Sequence, residues 1–190
     1  MTANQSTQQK NPLSIPVHDE RTDIIYNEVL QSAKPPHQLL RDFYGLVYYD
    51  KNPISVYTDG SCLDNGKESA RAGSGICFGL RSNQNISLRV PGPGDPTNNR
   101  AEAYAVLMLL LIVDPKRALN IYCDSTYVIR ECCYWAGRHL STGWKMSNGD
   151  LLKDICLLLK YRLALTRFIW VKGHSGIPQN ELADELAKTG

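Results

Sequence analysis

The sequence predicts an α/β domain built on a five-stranded mixed sheet with helices packed on its faces, and three observations point there. Three short apolar runs follow one another closely from Ile54, separated by polar, glycine-bearing segments, which argues an antiparallel meander. Two further strand-like runs then alternate with helical stretches, the pattern of parallel βα units. A chain of 190 residues that is 43% hydrophobic can bury a real core in one domain and still carry an extension.

Residues 1–18 are rich in Gln, Asn, Ser and Thr and read as a disordered tail. Residues 19–52 read as an N-terminal extension whose role the sequence leaves open. Its first part carries helical periodicity through Ile24, Ile25, Val29 and Leu30 and ends at Pro35-Pro36. A short aromatic run, HQLLRDFYGLVYYDKN, follows. The main domain spans 53–190. Its strands are expected at Ile54–Asp59, Gly75–Gly79, Ile86–Val90, Leu119–Cys123 and Arg167–Val171. Helices are expected at Arg100–Val113, closed by Asp114-Pro115, at Thr126–Cys133, at Leu151–Leu163 and at Asn180–Lys188. WAGRHLSTGW is a Trp/Gly segment between the second and third helices, and KGHSGIPQ is the loop before the last.

A net charge of +2 does not by itself announce a nucleic-acid binder. Its distribution says more, since eight Lys or Arg against four Asp or Glu lie between Asp124 and His174. That mild excess suits phosphate contacts or an ordinary solvated surface equally. The six cysteines form no C-x-x-C pair, and the first residues, MTANQSTQQKNPLS, contain no apolar stretch of the secretory kind. Reduced thiols and a cytoplasmic or nuclear setting are therefore expected. The apolar run Ala101–Val113 is too short to cross a bilayer and contains Glu102, so no membrane partner is expected.

Four acids sit where elements begin or end. Asp59 ends the first strand and Asp124 follows the fourth; if those strands are parallel neighbours, the two carboxylates lie side by side. Glu102 opens the helix leading to the fourth strand, and Asp184 lies early in the last helix. Each has an ordinary explanation taken singly: Asp59 begins a turn, Asp124 caps a helix, Glu102 completes a capping box with Asn99, and Asp184 is solvated near a helix start. Four such acids at one sheet edge repel one another and lose hydration, a cost that divalent cations offset. Oxygen ligands without Cys or His favour Mg²⁺, with Mn²⁺ as the alternative.

The words YTDGSC, TNNRAE, IYCDSTYV, GW and WVKGHSGIPQNELADELA occur in that order and spacing. With them the chain resembles type 1 ribonuclease H from Ile54 onward, over about 137 residues. The resemblance implies the strand order 3-2-1-4-5 and hydrolysis of the RNA strand of an RNA–DNA hybrid. It implies two Mg²⁺ ions held by Asp59, Glu102, Asp124 and Asp184, with no small-molecule cofactor, a monomeric enzyme, and products bearing 5′-phosphate and 3′-hydroxyl ends. It also implies a mobile loop in which His174 assists proton traffic or product departure. Ser61, Asn98, Asn99 and Glu102 match positions near the RNA strand. Thr97 and Asn148 match a pocket for a DNA phosphate. Trp144 matches an aromatic that packs along the DNA sugars, a core tryptophan being its other reading, whereas Trp135 reads as structural.

The sequence departs from the family pattern at Asp95, where some relatives carry an Arg that grips DNA phosphate, and between Lys145 and Asp150, where a common loop is trimmed. Three other functions stay open: a ribonuclease H domain belonging to a retroelement reverse transcriptase, a hybrid-binding module without catalysis, and a related nuclease or integrase on this fold that cuts DNA. The second gains nothing from a cluster of repelling carboxylates.

Overall fold

A computed structural model describes residues 52–92 and 94–190, together with Lys34 and Gln38. The expectations for the tail at 1–18 and for nearly all of the extension at 19–52 lie outside the described residues.

The sheet contains β1 (Ile54–Leu63), β2 (Arg71–Cys77), β3 (Ile86–Arg89), β4 (Leu119–Cys123) and β5 (Thr166–Trp170) in the order 3-2-1-4-5. β1–β2 and β2–β3 pair antiparallel, whereas β1–β4 and β4–β5 pair parallel. The helices are α1 (Asn98–Ile112), α2 (Thr126–Cys133), α3 (Ala136–Ser141), α4 (Gly149–Tyr161) and α5 (Pro178–Thr189). The Trp/Gly segment thus contains a short helix, α3.

Strand alternation decides which helix meets which face. A Cβ at Gly60 would lie 2.1 Å from the Glu102 backbone nitrogen of α1, whereas one at Gly75 would lie 1.9 Å from the Ala183 carbonyl oxygen of α5. Gly60 is paired with Ser74, the neighbour of Gly75, so the two glycines face opposite sides of the sheet. Ser74 Oγ donates to the Ala101 carbonyl of α1 at 2.6 Å, consistent with that assignment. The core includes Val56, Ile76 and Ile121 from the sheet, Leu109 from α1, and Leu152 and Ile155 from α4, all essentially inaccessible to water. The buried Arg162 ties this layer together, donating to Thr166 and to the carbonyls of Val113, Asp114 and Arg117.

Two expectations need correction. Asp59 does not end its strand. β1 runs on to Leu63 because β2 keeps pairing with it, register by register, from Tyr57–Cys77 to Leu63–Arg71. What ends near Asp59 is the parallel pairing with β4, whose last partners are Tyr57 and Tyr122. The ordinary readings of two acids also fall. Thr97, not Asn99, caps α1, its Oγ1 accepting from the Arg100 N–H at 3.1 Å, and no acid enters the first turn. Ser125, not Asp124, caps α2 by accepting from the Val128 N–H. Both carboxylates are thereby left free of capping duty.

Candidate active site

The four acids meet where β1 and β4 part. Asp59 stands on β1 two residues beyond the last β4 partner, and Asp124 follows β4 directly. Gly60 lets α1 approach β1 closely enough to bring Glu102 beside Asp59, and Gly75 does the same on the other face for α5 and Asp184. Asp124 is positioned by three groups. Its carbonyl accepts from Trp170 Nε1 at 3.1 Å, Ser125 begins the helix behind it, and a Cβ at Gly173 would lie 2.4 Å from its Oδ2.

The result is a cavity of about 320 Å³ lined by Asp59, Gly60, Ser61, Asn98, Glu102, Asp124, His174, Asp184 and Lys188. Asp59, Glu102 and Asp124 each offer a carboxylate oxygen within 4.8 Å of the others. His174, Glu181 and Asp184 form a second such group. His174 is exposed, has a left-handed backbone with φ 49°, and places Nδ1 4.0 Å from Glu181 Oε2. Glu181 Oε1 also accepts the Gly176 N–H, which ties the loop to α5.

Electrostatics sharpen the picture. Burial, then the Asp124 and Asp184 charges, push the Asp59 carboxyl from 3.8 up to about 7, against the opposing Gly60 N–H bond at 2.6 Å. Burial, then the Asp59 and Asp124 charges, hold Glu102 well above the ordinary carboxylate range. Glu102 Oε2 is fully buried and has no hydrogen-bond partner. An orphaned buried oxygen beside two further carboxylates fits a hard divalent cation, which would supply both the missing ligand and the missing positive charge.

This predicts an inverted pH dependence for the metal-free protein. A carboxyl whose folded pKa is raised makes the folded state bind more protons than the unfolded chain, so stability falls as pH rises through the window. For Asp59 that window runs from 3.8 to about 7. With EDTA, the melting temperature of the wild type should fall across it relative to an Asp59→Asn variant. Mg²⁺ should reverse the relative fall, and most strongly at pH 8. A Mg²⁺-independent melting temperature at pH 8 would refute the cation site.

The other nominated residues divide. Ser61 and Asn98 line the cavity, and Asn99 is exposed on the first turn of α1. Thr97 and Asn148 are joined through the buried Arg100. Thr97 accepts its N–H, and Arg100 Nη1 donates to Asn148 Oδ1 at 3.4 Å while the guanidinium grips Asp150 at 2.7 and 3.0 Å. Trp144 takes the position of its other reading, a core tryptophan. It is only 9% exposed and belongs to the core, because Gly143 and Trp144 both adopt left-handed backbone and turn the indole inward. Trp135, read as structural, is 44% exposed instead. Sequence reasoning missed Lys188 and Glu181. Their spacing of four and three residues from Asp184 puts them on its helix face and was the available signal.

Comparison with known proteins agrees with this geometry. The RNase H family model matches residues 51–190. Ribonuclease HI of Haemophilus ducreyi is 37% identical over 141 residues, covering 72% of this chain and 89% of that protein. Ribonuclease H1 of Mus musculus is 31% identical over 166 residues, covering 84% of this chain but 56% of the mouse protein. Among solved structures, LC9-RNase H1, a type 1 RNase H with the type 2 active-site motif, superposes with a TM-score of 0.56 at 25% identity, covering 74% of each chain. A foamy viral protease–reverse transcriptase in complex with dsDNA gives 0.56 at 25% identity, covering 73% of this chain and 97% of that one. With its sheet order, its gathered acids and a family match across the whole described domain, the chain belongs to the RNase H family of hydrolases.

Proposed function

We propose that this protein hydrolyses the RNA strand of RNA–DNA hybrids at the cavity between β1 and β4, leaving 5′-phosphate and 3′-hydroxyl ends. The observation that carries the reading is the clustering of Asp59, Glu102 and Asp124 around an unsatisfied buried carboxylate oxygen, with Asp184 on the same cavity wall. Asp59, Glu102, Asp124 and Asp184 would hold two divalent cations, Mg²⁺ or Mn²⁺, which when bound activate the attacking water and stabilise the leaving oxygen.

The chain's own residues do the rest. Asp59 shares one group with Glu102 and Asp124 and also feels the charge of Asp184, so it would serve both cations. Glu102 and Asp124 face the side where water attacks. Ser61 and Asn98, on the cavity wall, offer polar atoms to 2′-hydroxyls, the group that separates RNA from DNA. Asn99 presents a further polar group on the same helix turn. Thr97 and Asn148, locked together by Arg100 near the starts of α1 and α4, receive a phosphate of the DNA strand. His174, on its exposed loop beside Asp184, carries a proton to the leaving 3′ oxygen and eases product departure. The enzyme acts as a monomer. No described helix is long and apolar enough to cross a membrane, and the six free thiols accord with a cytoplasmic or nuclear setting.

The test compares cleavage of labelled RNA–DNA hybrid, double-stranded RNA and double-stranded DNA with Mg²⁺ and then with EDTA. Hybrid-specific cleavage that EDTA stops is expected, and binding of the hybrid without cleavage would refute the assignment. His174→Ala should slow turnover by about 100-fold without abolishing it, the lower end of what one lost proton-transfer group costs. Single-turnover and steady-state rates read on the same variant separate slowed chemistry from slowed release. The foamy viral neighbour favours one second reading, a retroelement ribonuclease H domain, which a polymerase reading frame directly upstream would establish.

A further inference from the structure

Among the described residues, Lys188 is the only lysine or arginine lining the cavity. Its Nζ lies 2.5 Å from Asp184 Oδ2, one helical turn away on α5. The Asp184 side chain is only 14% exposed, whereas the lysine is 51% exposed on a flexible stem. Both side chains face a cavity otherwise dominated by Asp59, Glu102 and Asp124. The ammonium therefore already neutralises the acid proposed to help hold the second cation, from a position it can leave at little cost.

We propose that Lys188 is a tethered counter-cation of the active site: it holds Asp184 in place while the second divalent ion is absent and yields to that ion when it binds. The inference rests on the cation-binding reading of the four acids. Lys188 is a positioning residue in this scheme, acting through Asp184 rather than on the substrate. Two consequences follow from charge alone. The ammonium competes with a divalent cation for one carboxylate, so it weakens binding at that position and leaves the Asp59–Glu102–Asp124 position less affected. It also limits repulsion between Asp184 and the other acids in the cation-free protein, so that Asp184 stays directed into the cavity.

The experiment titrates Mn²⁺ into the metal-free full chain without nucleic acid and follows free Mn²⁺ by electron paramagnetic resonance, for wild type, Lys188→Met and Lys188→Arg. Removing the charge should tighten the weaker binding step by about three- to tenfold, given what a half-exposed ion pair and its repulsion of a divalent ion are worth. Lys188→Arg should bind as the wild type does. Equal or weaker Mn²⁺ binding by Lys188→Met overturns the inference while leaving the cation site intact, whereas absence of Mn²⁺ binding by the wild type overturns the cation site itself. In parallel, hybrid binding is measured in EDTA. If Lys188→Met leaves Mn²⁺ affinity unchanged but weakens hybrid binding, the ammonium serves a nucleic-acid phosphate and the proposal fails.

Discussion

Asp59→Asn is expected to abolish hydrolysis and, in the same molecule, to stabilise the cation-free protein. Asp59 is the acid on which the electrostatics of the cavity converge, being buried and facing the charges of both Asp124 and Asp184. Asparagine keeps the shape and retains one oxygen, but it removes the negative charge that a shared cation site needs. Loss of about three orders of magnitude in rate is expected, the upper range for removing one preorganised electrostatic group. The same change relieves the burial cost and the repulsion that lift the Asp59 carboxyl to about 7. With EDTA at pH 8 the variant should therefore melt higher than wild type, by an amount corresponding to a few kcal/mol of relieved strain. A variant that is both inactive and less stable would mean that Asp59 serves the fold, and the active-site assignment would lose its central residue. Activity trading against stability at one residue is the ordinary signature of a built functional site.

Gly60→Ala should damage the fold and the site together, through one steric contact. The added methyl would sit 2.1 Å from the Glu102 nitrogen, 2.5 Å from the Ala101 carbonyl carbon and 2.7 Å from the Glu102 Cα, all backbone atoms that cannot rotate away. Either α1 backs off or β1 bends. Overpacking of this kind costs about 1–3 kcal/mol, and contact with backbone on both residues argues for the upper end. The displacement carries Glu102 away from Asp59, and a shift of about 1 Å in a reacting constellation can cost roughly 100-fold in rate. Denaturant midpoints and single-turnover cleavage rates check the two effects separately. A wild-type midpoint together with a wild-type rate would show that this close approach is not required.

Much of the fold was legible because its signals are local. β4 and α2 fall at the residues their hydrophobic spacing indicates, the other expected elements are displaced by up to four residues at one or both ends, and α3 lies in a segment with no expected helix. The displaced end of β1 is informative. An acid followed by glycine resembles a turn at Asp59, yet the strand continues because β2 supplies hydrogen-bond partners that no local pattern reveals. Helix caps are ambiguous for a similar reason: Thr97 and Ser125 do the capping that Asn99 and Asp124 could equally have done, and only backbone geometry chooses among adjacent candidates. Burial separates the two tryptophans, 9% exposed at Trp144 and 44% at Trp135, and the left-handed backbone at Trp144 cannot be inferred from its residue type.

The sequence by itself determined the α/β class, the order of the elements, the family and the identities of the four acids, because each is written in short words or in local periodicity. Tertiary structure alone decided that Glu102 and Asp184 reach Asp59 from opposite faces of the sheet, since this requires the missing side chains of Gly60 and Gly75 to face different helices. It alone decided that Glu102 carries an unpartnered buried oxygen and that Lys188 enters the cavity. Those properties depend on distances between residues far apart in the chain, and such distances follow from packing rather than from any single stretch of sequence.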